Sequence, residues 1–277
     1  MGQAVDIKIY LEICCDSDIN RLQHCIDALC QWSNLWQLTL SVGKCFHMRV
    51  GFTKLNTQPI YTINNVALNT VSALRDLGVL MDSHLSFASH VKNIVSKAHI
   101  RSNQILRCFI SKDRECLVKA FITYVRPILE YCSVIWNPYH ITLINKLESV
   151  QRSFTKRLTG LYNMSYEERC AKLGLERLEL RRLKTDLIYS YKIIHGLTCL
   201  PVDDFFVFST FSTTRGNSLK LCVPVSRINC RLNFFSVRII HIWNNLSDNV
   251  VNARNVLEFT NSLNNNILLV IFIRGKA

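Results

Sequence analysis

The sequence contains no CxxC pair, although twelve of its 277 residues are cysteine. Cys14 and Cys15 are adjacent, Cys25 and Cys30 are separated by four residues, and Cys222 and Cys230 lie too far apart for a zinc knuckle. His84, His90 and His99 add no metal-ligand spacing, so no metal site is expected and these histidines read as surface or core residues. No apolar leader is expected either, because Met1 to Tyr10 carries Asp6 and Lys8 where an apolar stretch would stand. No apolar run approaches the roughly 20 residues of a membrane helix. The tail Ile267–Ile273 is far shorter and reads as a final strand or a buried helix end. These absences lead to an expectation of an intracellular chain, cytoplasmic or nuclear, with free thiols and no membrane partner. Cys108 and Cys116, at apolar positions of expected helices, read as small buried hydrophobes.

Acidic residues are scarce in the middle of the chain. Between Val91 and Lys192 there are 19 Lys and Arg against 9 Asp and Glu, which is ten of the thirteen net positive charges. A basic centre of this kind suits a polyanion, most often RNA or DNA, although a solvated basic surface has the same composition. The 49 % hydrophobic content is that of a folded globular protein.

The periodicities predict an α+β fold. Asp6–Ile13 alternates as a strand, with Ile7, Ile9, Leu11 and Ile13 on one side. Ser17 then offers an N-cap, and Ile19, Leu22, Ile26, Leu29 and Ser33 repeat at helical spacing. Phe46, Met48 and Val50 alternate as a second strand. Ile60–Ile63, Asn64-Asn65 and Val66–Leu68 form a hairpin pattern, since Asn tolerates positive φ. Leu77–Met81 reads as one more short strand. From Phe87 onward the pattern is helical. Helices are expected from Phe87 through Ile105, over Leu117–Tyr124 with a stop near Pro127, and over Leu143–Leu158. Further helices are expected over Tyr166–Leu173 closed by Gly174, over Arg177–Ile194 closed by Gly196, over Phe234–Trp243 and over Ala253–Leu263. Trp32, Trp36, Trp136 and Trp243 read as core anchors. Pro201 to Pro224 is expected to be loop or short strand.

One ordered series of segments resembles a known family. Val125-Arg126-Pro127-Ile128-Leu129-Glu130-Tyr131, followed by Val134-Ile135-Trp136-Asn137-Pro138, is similar to the VRPxLEYxxxVWxP segment of LINE-type (non-LTR retrotransposon) reverse transcriptases. Leu147-Glu148-Ser149-Val150-Gln151-Arg152 with Phe154-Thr155-Lys156 resembles its continuation, LExVQRRFTK. Tyr166 to Arg169, Leu173 to Leu175, Leu178 to Arg182, Asp186 to Ile188 and Tyr191 to Ile193 resemble the helical region after the thumb. Thr214-Arg215-Gly216, Phe234 to Arg238 and Trp243-Asn244 complete a series that spans nearly the whole chain. Upstream, Ile7-Lys8-Ile9-Tyr10 resembles the residues after the family's catalytic Y/F-A-D-D turn, which sets Gln3-Ala4-Val5-Asp6 at that turn. Trp32-Ser33, Trp36-Gln37-Leu38 and Lys44-Cys45 resemble the helix and lysine that follow. Asp76, Leu77, Gly78 and Val79, with Asp82, resemble the primer-grip hairpin.

The resemblance implies a partial palm at 1–82 with a primer-grip-like hairpin, a thumb-like helical bundle at 83–160 and a helical C-terminal extension at 161–277. It implies an RNA-directed DNA polymerase whose chemistry needs two Mg²⁺ clamped by carboxylates about 3.5–4 Å apart. Here Val5 stands where the first Asp of the turn belongs and cannot ligate a hard cation. The resemblance implies that Asp6 is a remnant of the turn, and no counterpart of the family's early palm strand is expected in these residues. A catalytically silent chain that retains no Mg²⁺ is therefore expected. Lys44 matches the lysine the family uses beside the nucleotide, and an ordinary lysine entering a strand fits it as well. Lys146, Arg152, Lys156 and Arg157 recur on one side of a helix and suit phosphates or solvent equally. The strand Asp6–Ile13, as an exposed palm edge, is expected to favour self-association. Readings left open are a relic without a cellular role and a part of an active polymerase completed from upstream.

Overall fold

A computed structural model describes residues 7–51, 59–209 and 217–265. It is mixed α+β and divides after Leu85 into two compact units.

The first unit is organised by α1 (Asp16–Leu35). Its N-terminus is held by Asp18 rather than by Ser17, with the Asp18 carboxylate accepting from the backbone N–H of Cys14 at 3.0 Å and of Cys15 at 3.1 Å. The Cys14 and Cys15 donors hold that carboxyl below its ordinary range. Ile26, Cys30 and Ser33 face inward, and Ile26 and Cys30 meet Tyr61 and Ile63. That phase sets Trp32 and Trp36 roughly 100° round the helix. Trp32 is 46 % exposed and Trp36 64 % exposed, so neither is the core anchor expected of it.

The expected strand over Asp6–Ile13 is not formed in its described part. Ile7–Ile13 runs as irregular chain with Ile7 and Ile9 exposed, because no described segment pairs with it. The alternation at Phe46, Met48 and Val50 yields only β1 (Phe46–His47), which pairs in parallel with β4 (Asn69–Thr70). The hairpin between β2 (Thr62–Ile63) and β3 (Val66–Ala67) forms as expected, with Asn64 and Asn65 at φ +49° and +63°. Leu77–Met81 is not one strand. Leu77 and Gly78, at φ +43° and +89°, turn β5 (Ala73–Asp76) into β6 (Val79–Asp82) with Asp76 opposite Val79. A two-residue loop with both φ positive matches the twist of the flanking strands, and Gly78 takes its share without a Cβ penalty.

The second unit opens with α2 (Ala88–Cys108), which buries Val91, Ile94, Ala98, Ser102 and Ile105. α3 (Arg114–Tyr124) is capped by Asp113, which accepts from Cys116 N–H at 2.8 Å. Pro127 does not merely end α3. It lies in the first turn of α4 (Arg126–Glu130), where its missing N–H costs nothing. A short α5 (Ser133–Trp136) leads to α6 (Ile141–Lys156), α7 (Tyr166–Leu173) and α8 (Leu178–Ile194). α7 carries a reciprocal cap between Ser165 and Glu168 and closes at Gly174, φ +61°. α8 closes before Gly196, φ +65°.

The stretch expected to be one helix from Phe234 to Trp243 is two, α10 (Phe235–Arg238) and α11 (Ile240–Asn244), preceded by α9 (Asn229–Leu232). α12 (Asp248–Val251) and α13 (Val256–Asn264) follow, the latter capped by Asn255. Phe208 and Leu221 form an isolated antiparallel bridge within the 201–224 stretch. Trp243 is fully buried against Phe259 and donates from Nε1 to Leu219 O at 2.8 Å. Trp136 is buried beside His90 and donates to Tyr131 O at 2.7 Å. These two are core anchors, as expected.

All twelve cysteines are free. Cys108 is exposed and Cys116 half-buried, contrary to their expected burial, because both fall off the inward stripe of their helices. No described helix is long and apolar enough to cross a membrane. The expectations for Gln3 to Asp6, Thr214 to Gly216 and Ile267–Ile273 lie outside the described residues.

Candidate nucleic-acid interface

α6 is the centre of the basic region. Its inward stripe of Leu143, Leu147, Val150, Phe154 and the buried Gln151 and Thr155 leaves an exposed arc. Thr142, Asn145, Lys146, Arg152, Ser153, Lys156 and Arg157 line that arc, with Ser149 half-buried among them. No acid lies there. The one acid of α6, Glu148, is 1 % exposed and turned inward. Its carboxylate accepts the Tyr166 hydroxyl and the Leu178 N–H, the first free donor of α8. The Gln151 amide completes this polar knot, its Nε2 donating to Tyr166 Oη and to Glu176 O, both at 2.9 Å. Burial and the Glu148 charge push the Tyr166 phenol far above its ordinary range, so it stays protonated and donates.

The four expected cations form two rows, roughly 100° apart on the helix surface. Lys146 and Arg157 lie toward α2. There Arg157 donates to Asn103 Oδ1 at 2.8 Å, and Ser149 Oγ and His99 Nε2 are 3.4 Å apart. α2 contains no acidic residue at all. Helical spacing puts its exposed Lys92 and Arg107 on the flank that carries Asn103, with Lys97 and Arg101 farther round. Burial, then the charge of Arg107, lowers the Arg157 pKa, and burial, then Arg157, lowers that of His99. Arg157 thus faces cations and neutral polar groups, a setting that an incoming anion would relieve. The second row is Arg152, 5.0 Å over the ring of buried Tyr166, and Lys156, 4.8 Å over the ring of exposed Tyr162. Charge periodicity alone marks the α6 cations. It does not reveal the α2 row or Tyr162, because helix packing is not a local pattern.

The other site expectations meet a different setting. Lys44 ends a 3₁₀ turn (Val42–Lys44) and is exposed, just before β1. In the hairpin of Asp76, Leu77, Gly78 and Val79, Val79 packs inward and Leu77 is 64 % exposed, so the turn presents an apolar side chain outward. Asp76 accepts from Lys8 Nζ at 2.6 Å. The described residues hold no group of three or more His, Cys, Asp or Glu able to hold a metal ion. Of the histidines, His90 is core, His99 half-buried and His84 exposed.

No family model matches the chain, and no solved structure matches it. Among curated proteins, an uncharacterized protein of Caenorhabditis elegans is 27 % identical over 126 residues, 44 % of this chain and 64 % of that protein. The RNA-directed DNA polymerase from mobile element jockey of Drosophila funebris is 25 % identical over 162 residues, 57 % of this chain and 18 % of the polymerase. The probable RNA-directed DNA polymerase from transposon BS of Drosophila melanogaster is 24 % identical over 159 residues, 54 % of this chain and 17 % of the polymerase. The matched stretch is therefore less than two thirds of the worm protein and under a fifth of either polymerase. Over about half of its length the chain is similar to RNA-directed DNA polymerases of mobile elements, and it spans less than a fifth of their length.

Proposed function

We propose that this chain is a region of a LINE-type reverse transcriptase that grips a nucleic-acid backbone on the α2–α6 face and does not polymerise by itself. One observation carries the reading. Six exposed cations, Lys92, Arg107, Lys146, Arg152, Lys156 and Arg157, share a two-helix surface on which neither helix exposes an acid. Serine, asparagine and histidine side chains fill the space between them, and these donate to phosphate oxygens without selecting a base.

If four to six phosphates are neutralised, log K should fall with log salt at roughly −4 to −5 on duplex, about −0.9 per phosphate. Changing Lys146, Arg152, Lys156 and Arg157 together to Gln should flatten that slope by about 0.9 for each phosphate left without its cation. Fluorescence anisotropy at several salt concentrations measures both. Binding indifferent to salt, or unaltered by the four changes in a chain whose helix content is intact, overturns the proposal.

For catalysis, Val5 at the position the resemblance gives to the first Asp of the turn removes a Mg²⁺ ligand. The 277-residue chain, given a primed RNA template, Mg²⁺ and dNTPs, should extend no primer above background. Template-dependent extension that needs Mg²⁺ would sink this part of the reading.

A further inference from the structure

Tyr162 has no evident role in the fold. It is 69 % exposed, yet the segment that carries it is firmly anchored. Leu158 and Leu161 on either side of Gly160 are 2 % and 0 % exposed, and Gly160 turns the chain at φ +76°. Leu161 N–H donates to Leu158 O and Met164 N–H to Leu161 O, both at 3.2 Å. Arg169, itself buried, donates to Met164 O and, from Nε, to Thr155 Oγ1 at 3.2 Å, which ties the segment back to α6. A phenol ring is thus held out in solvent by a fixed backbone. Lys156 Nζ lies 4.8 Å from the ring centroid, and no aromatic ring among the described residues packs against it. The exposed aromatic therefore adjoins the Arg152–Lys156 row of the basic face.

We infer that Tyr162 is a stacking platform for an unpaired nucleobase of a strand whose phosphates run along the α6 cations. A flat π-face beside a phosphate-binding row is the arrangement by which single strands are held with little regard to sequence, since every base has a π-face. The Tyr166 ring under Arg152 cannot serve in this way, because it is buried. The inference rests on the backbone-binding reading and adds to it a preference for strands with unpaired bases.

The test compares a single-stranded DNA of about 12 nucleotides, within the range of site sizes such platforms cover, with the same strand made abasic throughout. Both are titrated with the full chain and followed by fluorescence anisotropy. Tyr162→Ala and Tyr162→Leu should each weaken binding of the base-bearing strand about 5- to 10-fold, while Tyr162→Phe stays within about 2-fold. None of the three should alter binding of the abasic strand or the salt slope, because the phosphates keep their cations. Salt-dependent binding in which the preference for bases over abasic sites is the same in Tyr162→Ala as in the unmodified chain overturns the stacking site alone. Absence of salt-dependent binding in the unmodified chain overturns the backbone-binding reading and the platform with it.

Discussion

Replacing Asp186 by Ala should cost the second unit about 3–5 kcal/mol, a large part of the roughly 5–15 kcal/mol that holds a domain folded. Asp186 is 1 % exposed on α8. Its Oδ1 accepts from Arg238 Nη2 at 2.9 Å, and its Oδ2 accepts from Arg238 Nε at 3.0 Å and from Asn137 Nδ2 at 3.1 Å. Arg238 extends the network to Val134 O at 2.8 Å and Asn233 O at 3.1 Å, so one carboxylate joins α5, α8 and α10. Arg182, fully buried, donates to Asn137 Oδ1 at 3.0 Å. Burial pushes the Asp186 carboxyl upward, and the guanidinium groups of Arg238 and Arg182 oppose that push. Removing the carboxylate leaves the partly buried Arg238 guanidinium without its salt-bridge partner and takes one of the surrounding carboxylates from the fully buried Arg182, which costs more than the hydrogen bonds themselves. The exposed pair of Lys8 and Asp76 is the internal comparison. Its lysine side chain is 53 % exposed, and Asp76→Ala should change stability by under about 1 kcal/mol. Urea unfolding followed by circular dichroism measures both. A loss below about 1 kcal/mol for Asp186→Ala would show that the network is dispensable.

That network also marks where reading the sequence stops. α7 is legible residue for residue, because a Ser-x-x-Glu cap, an amphipathic turn and a closing glycine are all local signals. The Asn64-Asn65 turn is legible for the same reason. α4 and α5 are not, being five and four residues long and too short for a helical period to show. Trp32 and Trp36 mislead because α1 offers apolar residues on more than one face, and only the contact with Tyr61 and Ile63 selects the inward one. The charges mislead most. Glu148, Asp186, Arg169 and Arg182 look like surface residues in a pattern of polarity, yet all are buried. Their partners lie up to 52 residues away, as Arg238 does from Asp186, and no local pattern encodes such a pairing. The basic face is half-legible in the same sense, since the sequence of α6 shows its cations but not the neighbouring α2 that lies beside them.

The first unit should be the weaker and the stickier of the two, and limited proteolysis should show it. Among the described residues its apolar cluster has four buried side chains, Ile26, Cys30, Tyr61 and Ile63, ringed by partly buried Ile19, Leu22, Leu40, Val42, Cys45 and Leu68, with Val79 buried in the hairpin. The second unit has a cluster of fifteen buried residues around Trp243 alone. Local unfolding is easiest where buried apolar contacts are few, so protease should cut before Leu85 first and leave a resistant helical fragment beginning near Ser86. The expected self-association is assigned to a different surface. The strand edge expected over Asp6–Ile13 is not formed in its described part, so unpaired amides of a flat edge are not the source. The apolar surface comes instead from the end of α1 and its exit, where Trp32, Leu35, Trp36 and Leu38 are all exposed within seven residues. Apolar side chains clustered this densely favour contact between molecules. Changing Leu35 and Trp36 to Gln and Lys should therefore lower the sedimentation-average mass of the full chain, with little effect on stability, because neither side chain is in the core. The account fails if protease attacks the helical unit first, or if the unmodified chain is monomeric at concentrations where the apolar patch should self-associate.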